Sequence, residues 1–218
     1  MANKGKLIRK KKNKNIDEEH IIQLDLQKHD FGPLHMKYLI EFNLINLRIL
    51  DLSSNSIYYD GSFFLGQGKF NSLENLNLNY NEIGDLGLHY IASANFSKLK
   101  ALYLYHNNIL SEGIKYLITV KYINNLIILS LSDNPKICDT GVRYMKEHKQ
   151  WDNLAILNLN NAGLTDIGLD YLFQSCIPKL KLLNIQGNKF TENSVQIINA
   201  LRTNHIHVSY KTAAQRQK

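Results

Sequence analysis

Apolar and polar positions follow a pattern that recurs every 26 to 28 residues along this chain. Each copy approximates L-x-x-L-x-L-x-x-N-x-L, and clear copies run over residues 47–57 and 73–83. The copies begin at Ile21, Leu47, Leu73, Leu99, Leu126, Leu154 and Leu180, and one further step of 26 residues reaches Ile206. A fixed period of this length indicates a solenoid in which every copy forms one structural unit.

Each copy predicts a short strand followed by a helix. The strand is expected because apolar and polar residues alternate, and the helix because the spacing then changes to a helical one. A residue suited to a helix N-terminus precedes a glycine, in Asp85-Leu86-Gly87, Glu112-Gly113, Thr140-Gly141 and Asp166-Ile167-Gly168. Three positions after the glycine, or at the equivalent place, a large residue recurs. We expect this row to face the core; it comprises Tyr38, Phe64, Tyr90, Tyr116, Tyr144, Tyr171 and Ile197.

The repeated motif resembles the leucine-rich repeat family, and within it the ribonuclease-inhibitor-like subfamily, whose units pair one strand with one helix. The resemblance covers residues 21 to about 205. It implies an α/β solenoid shaped as a curved horseshoe, with a parallel sheet on the concave face and helices on the convex face. About seven repeats and a terminal strand are expected. The predicted division is a basic N-terminal arm (1–15), the repeat domain (16–210) and a basic C-terminal tail (211–218).

The asparagine of the motif recurs as Asn55, Asn81, Asn107, Asn134 and Asn188. We interpret these residues as structural, because a buried carboxamide can pair with backbone groups that lose their partners where a strand bends into a loop. His29 and Ala162 stand where the family has asparagine, and Pro135 with Lys136 lengthens the turn after Asn134. Local deviations are expected at these turns.

Side chains between the inward apolar positions should form the concave surface, because neighbouring strand residues point to opposite faces. This predicts three polar rows: Asp25, Asp51, Asn77, Tyr103, Ser130, Asn158 and Asn184; Gln27, Ser53, Asn79, Tyr105, Ser132, Asn160 and Gln186; and Lys28, Ser54, Tyr80, His106, Asp133, Asn161 and Gly187. Tyr80, Tyr103, Tyr105 and His106 lie on adjacent central repeats. We predict that they anchor a partner; cross-strand packing without a partner is the alternative.

The net charge of +7 arises from the two ends of the chain. Residues 1–15 carry seven basic residues and no acidic one: Lys4, Lys6, Arg9, Lys10, Lys11, Lys12 and Lys14. Residues 201–218 add four more, whereas residues 16–200 have a balance of −4. Clustered basic side chains predict binding to phosphates of RNA or another polyanion. A solubilising tail is the alternative.

The sequence shows no complete catalytic, cofactor or metal-binding motif. Gly66-Gln67-Gly68-Lys69 lacks the spacing of a phosphate loop and follows a helix, so we expect a helix-ending connection. His205 and His207 could share one side of a strand, but no third metal ligand accompanies them. Two cysteines 38 positions apart and the absence of a long apolar run favour a reducing, non-membrane environment. We therefore expect a soluble, cytoplasmic, monomeric protein that is not an enzyme and needs no cofactor.

Two functional interpretations remain. In the first, the concave face and the basic arms dock on a ribonucleoprotein such as the ribosome. The chain also resembles effectors of intracellular bacteria, which would imply inhibition of host translation in the host cytosol. In the second, the protein is an adaptor or inhibitor that binds another protein through its concave face, and the arms are incidental. Regulation of a small GTPase is a third possibility that rests on fold alone.

Overall fold

The computed structural model describes residues 18–148 and 151–210, and within them strands and helices alternate. The strands are β1 (Gln23–Asp25), β2 (Ile49–Asp51), β3 (Asn75–Asn77), β4 (Ala101–Tyr103), β5 (Ile128–Ser130), β6 (Ile156–Asn158), β7 (Leu182–Asn184) and β8 (His207–Ser209). The helices are α1 (Pro33–Leu39), α2 (Tyr58–Gly66), α3 (Gly84–Ser93), α4 (Ser111–Ile118), α5 (Cys138–Glu147), α6 (Asp166–Gln174) and α7 (Ser194–Thr203). Two short 3-10 helices span Glu18–His20 and Lys121–Asn125.

The strands form one parallel sheet in the order β1 to β8. Equivalent residues of successive repeats are aligned, so that Leu50 lies beside Leu24 on one side and Leu76 on the other. Neighbouring strands lie about 4.8 Å apart, whereas packed helices need roughly 8–10 Å. The solenoid therefore curves with its sheet on the concave side. The predicted α/β solenoid is confirmed.

The core is a continuous column of the motif's apolar residues from Leu26 to Val208. Leu50, Leu76 and Leu102 occupy the middle of their strands and are fully buried. Full burial of one such side chain stabilises the fold by roughly 1.5–3 kcal/mol. Because each unit buries its apolar face against its neighbours, the repeats stabilise one another.

The predicted structural role of the repeated asparagines is confirmed. The side chains of Asn81, Asn107, Asn134 and Asn188 are fully buried, and that of Asn55 is half-buried. The Asn107 amide donates to the carbonyl oxygens of Leu78 (2.8 Å) and Tyr105 (3.0 Å). Its carbonyl oxygen accepts from the backbone N–H groups of Asn81 (3.2 Å) and Ile83 (3.4 Å). Each asparagine therefore links its own turn to the preceding repeat.

The expected deviation is found around the inserted Pro135. The extra residue forms a tighter turn, in which the backbone N–H of Ile137 donates to the Asn134 carbonyl oxygen (3.1 Å). Gly163 has a positive φ of 78°, and a Cβ at this position would collide with the Pro135 carbonyl oxygen. Gly163 thus makes room for the longer turn of the preceding repeat.

Acidic residues at the helix N-termini bind the following repeat. The Asp85 carboxylate accepts from the backbone N–H of Leu110 (2.8 Å), and that of Asp139 accepts from the N–H of Thr165 (2.8 Å). A Cβ at Gly113 would lie 2.5 Å from the Asp85 Oδ1 atom, so glycine leaves space for the carboxylate. Of the residues that the sequence indicated, Asp85 and Asp166 connect adjacent repeats, since the Asp166 carboxylate accepts from the backbone N–H of Thr191 (3.0 Å). Asp139 was not indicated, because Thr140 was taken for that position.

The prediction that the aromatic row after the glycines faces the core holds for part of the row. Phe64, Tyr144, Tyr171 and Ile197 are half-buried and pack against the core, whereas Tyr38 and Tyr116 are 44% and 41% exposed. On a helix that turns about 100° per residue, the buried face passes through Gly87, Leu88 and Ile91, so a residue three positions after the glycine lies on its flank. Members of the row also make contacts along the convex surface, such as Phe63 with Tyr90 and His89 with Tyr116.

Candidate functional site

The predicted concave residues lie on and just after the central strands. Tyr103 ends β4 and is aligned with Asn77 of β3 and Ser130 of β5. Tyr105 lies two residues further along and therefore on the same face. Tyr80 and His106 come directly before the buried asparagines of their repeats. The repeat thus places four side chains from two adjacent units on one surface.

Three of these four side chains form a compact cluster. The ring centroids of Tyr80 and Tyr105 are 4.8 Å apart, and those of Tyr80 and His106 are 5.2 Å apart. Tyr105 and His106 are stacked at 6.2 Å. Within the described parts of the chain, no aromatic ring contacts that of Tyr103. We call Tyr80, Tyr105 and His106 the concave aromatic cluster.

Asp133 extends the cluster and was not singled out from the sequence. Its Oδ2 atom lies 2.6 Å from Nδ1 of His106. The imidazole is half exposed, so this contact fixes the ring orientation while leaving one side accessible. Asp133 occupies the same row as Tyr80 and His106, one repeat further on. The sequence shows that alignment, but not the distance between the two side chains.

The row that contains Tyr80, His106 and Asp133 has left-handed backbone geometry in every repeat. The φ angles are 56° at Tyr80, 52° at His106 and 59° at Asp133, and a glycine occupies the position at Gly187. This region costs a non-glycine residue roughly 1–2 kcal/mol, and it is unusual for a bulky one. Because the fold fixes the conformation, glycine would satisfy it at lower cost. Because Lys28 and Ser54 have the same conformation at the equivalent position, the geometry belongs to the repeat, and the side chains rather than the backbone distinguish Tyr80 and His106.

The environment of Tyr105 keeps its phenol neutral. A hydrogen bond with the Tyr80 hydroxyl, burial, and the Asp133 carboxylate together raise the pKa of Tyr105 from its ordinary value of 10.0 to about 12. The Tyr105 phenol therefore stays neutral to higher pH than an ordinary tyrosine, and its hydroxyl can both donate and accept hydrogen bonds.

Comparisons with known proteins agree with this architecture. Models of the leucine-rich repeat match residues 46–66 and 71–92. Both matched segments are leucine-rich repeats, and the described chain has the fold of a leucine-rich repeat solenoid. A leucine-rich repeat protein of Leptospira interrogans superimposes with a TM-score of 0.53 and 18% identity, covering 94% of this chain and 57% of that chain. A Bacteroides fragilis protein superimposes with a TM-score of 0.52 and 14% identity, covering 93% of this chain and 68% of that one.

These similarities establish the fold and leave the ligand open. This leucine-rich repeat protein spans little more than half the length of the Leptospira protein that it matches. A search among curated proteins gives no significant match. The matches name leucine-rich repeats in general and distinguish no subfamily. Any partner must therefore be inferred from the surface of this chain.

A second concave feature was missed by the sequence analysis. Ile128, Ile156 and Leu182 begin strands β5, β6 and β7, lie side by side in register, and are half exposed. The three rows expected from the sequence contain only positions between and after the two inner leucines of each strand. Alternation along the strand applies equally to the residue before the first inner leucine, so it could have identified this row.

The structure also describes the segment from Gly66 to Lys69 and the histidines His205 and His207. Helix α2 ends at Gly66, in agreement with the expected helix-ending connection. His205 lies in the turn before β8 and only His207 is on that strand. Residues 18–148 and 151–210 contain no group of three potential metal ligands and no helix long and apolar enough to cross a membrane. Both cysteines are free thiols. The predicted arm (1–15), with its seven basic residues, and the tail (211–218) lie outside the described residues.

Substituting Tyr80→Phe is expected to lower the pKa of Tyr105 towards its ordinary value, because the hydrogen bond with the Tyr80 hydroxyl is the largest cause of the shift. With the raised pKa, the neutral phenol contributes fully to stability below pH 10, and this contribution is lost as the pH rises through about 12. A pH titration of ¹³C-labelled tyrosine by NMR measures both effects. Tyr103→Phe serves as the control. An unchanged Tyr105 titration in the Tyr80→Phe variant would show that the two hydroxyls are not paired.

Proposed function

We propose that this leucine-rich repeat protein recognises another protein through its concave face, with the concave aromatic cluster as the anchor. Leucine-rich repeat folds commonly serve as protein-binding scaffolds. The observation that carries the proposal is the contact of Tyr80, Tyr105 and His106, whose two rows on the concave face otherwise hold only polar residues and one glycine. Tyrosine is enriched at the energetic centres of protein interfaces, because it contributes a large contact area and a hydroxyl group at low entropic cost.

Amide side chains further along the concave face support a protein partner. The Asn184 amide donates to the Asn158 carboxamide oxygen (2.6 Å), so amide groups continue in register across the sheet. Carboxamides can both donate to and accept from the backbone of a partner. We assign the contact between His106 and Asp133 to orientation of the imidazole for partner contact rather than to proton transfer.

The partner class can be determined by affinity capture with the full 218-residue chain, performed with and without nuclease. The proposal predicts a protein partner whose retention survives nuclease treatment and decreases when the cluster is removed. Retention that depends on intact RNA would contradict it and favour the second candidate.

The second candidate is docking on a ribonucleoprotein such as the ribosome. The seven basic residues within residues 1–15 favour it. In this case the arm would bind RNA phosphates and the exposed aromatic rings would stack on bases or contact ribosomal protein. Inhibition of translation, as expected of an effector, would follow if the occupied surface were a factor-binding site.

Deleting residues 1–15 distinguishes the two candidates through salt dependence. If the arm binds RNA, deletion should weaken binding and flatten the plot of log K against log salt concentration, since each neutralised phosphate contributes roughly −0.7 to −0.9 to the slope. Substituting the uncharged tyrosines should lower affinity without changing that slope. Fluorescence anisotropy at several salt concentrations measures both quantities. An unchanged affinity and slope after deletion would leave the arm as a solubilising tail.

A further inference from the structure

The half-exposed row at the start of β5, β6 and β7 forms an aliphatic strip on the concave face. Ile128 pairs with Ile156, and Ile156 pairs with Leu182. The next residues in the chain, Leu129 and Leu157, are fully buried, which shows that the row itself points outward. We call Ile128, Ile156 and Leu182 the aliphatic row. It spans about 10 Å, since adjacent strands lie about 4.8 Å apart.

A cavity of about 820 Å³ adjoins the aliphatic row. Its lining includes Ile127, Ala155 and Lys181, the residues that directly precede the three members of the row. Pro178 and Leu180 add further apolar surface, and the Ile127 side chain is 41% exposed. The cavity thus lies beside the row, at the edge of the sheet where the strands begin, and Asn153, Asn204 and His205 complete its lining. We call the row and this cavity together the recess.

Two lysines give this recess a positive rim. Lys179 and Lys181 both line the cavity. The Lys179 ammonium donates to the Asn153 carboxamide oxygen (2.6 Å), and across residues 18–148 and 151–210 neither lysine has a carboxylate within ion-pair distance. The surrounding half of the solenoid has the same sign: residues 98–210 carry a net charge of +4, whereas residues 18–97 carry −6.

We infer that the aliphatic row and its lysine rim bind a protein segment in which aliphatic side chains are flanked by carboxylates. This inference rests on the proposed function and specifies the chemistry of the partner. Aliphatic side chains of the segment would enter the recess, and its carboxylates would pair with Lys179 and Lys181. The separation of about 4.8 Å between members of the row suits a helical peptide. Neighbouring side chains on one face of a helix lie about 5–6 Å apart, which is close to that separation.

A display library of random 12-residue peptides, selected on the full 218-residue chain, tests the inference. The selected peptides should be enriched in Leu, Ile or Val together with Asp or Glu. A synthetic copy of a selected peptide should bind at least tenfold more weakly to the Lys179→Glu, Lys181→Glu double variant, because attraction becomes like-charge repulsion at two sites. Selection on that variant should yield aliphatic peptides with Lys or Arg in place of the acidic residues.

Matched variants identify the surface that binds. Ile128→Ser with Ile156→Ser should abolish peptide binding, and circular dichroism verifies that the fold is retained. Lys37→Glu with Lys69→Glu makes the same change of charge at two exposed positions elsewhere and should leave binding unchanged.

The remaining outcomes separate the inference from the proposed function. Peptides that depend on Tyr80 and Tyr105 but not on Ile156 or Lys181 would overturn the inference and leave the proposed function intact. Peptides that depend on neither surface would contradict both. No enrichment of aliphatic and acidic residues, or the same selected peptides on the charge-reversed variant, would also overturn the inference.

Discussion

Replacing Asn107 with alanine is expected to lower the free energy of unfolding by about 3 kcal/mol. The substitution removes two hydrogen bonds donated to backbone carbonyl oxygens and two accepted from backbone N–H groups, all in a fully buried position. A buried polar group left unpaired costs roughly 1–3 kcal/mol, and small relaxations are expected to re-pair some of the four groups. Equilibrium unfolding in urea, followed by circular dichroism, measures the change.

Asn199→Ala provides the matched control, because Asn199 is exposed on helix α7. The same substitution there should change the free energy of unfolding by no more than about 0.5 kcal/mol. If Asn107→Ala shifts the unfolding midpoint no more than this control, the repeated asparagines of the motif do not stabilise the solenoid.

Substituting both Tyr80 and Tyr105 with alanine is expected to weaken binding of the captured protein partner by about 2 kcal/mol or more, the size of effect found for central interface residues. Both rings belong to the concave aromatic cluster, and Tyr80 is 47% exposed, so its surface is available to a partner. Tyr103 has no ring neighbour among the described residues, and its substitution should cost less. Isothermal titration calorimetry with the purified partner measures these differences.

Two convex tyrosines of similar exposure provide the control for this effect. Tyr38 is 44% exposed and Tyr59 is 47% exposed. Substituting both with alanine should leave partner affinity unchanged. A larger loss from the convex pair than from Tyr80 and Tyr105 would move the interface to the helical side of the solenoid.

The repeat made most of the fold predictable. Strand order and register follow from the alignment of equivalent leucines such as Leu50 and Leu76, because each unit buries the same positions against its neighbours. The role of Asn107 was also predictable, since any strand that bends into a loop leaves backbone groups to be paired. Each of these predictions depends on a pattern that recurs in every unit.

Contacts between repeats were less predictable. The pairing of His106 with Asp133 depends on the direction of two side chains 27 residues apart, which the spacing alone does not determine. The burial of Tyr116 was predicted wrongly because the recurrence of a large residue at one helix position does not show where the centre of the buried helix face lies. The aliphatic row was missed because only positions between and after the two inner leucines of each strand were assigned to the concave face, which leaves out Ile128 and Ile156.

Photo-cross-linking tests most directly whether the concave face binds a protein. Tyr103→p-benzoylphenylalanine places the probe on the concave face beside the aromatic cluster, and Tyr59→p-benzoylphenylalanine places it on the outer surface of helix α2. The account predicts that only the concave probe cross-links the nuclease-resistant protein partner, with mass spectrometry identifying the linked peptide. Cross-linking from position 59 and none from position 103, with both variants still binding the partner, would contradict it.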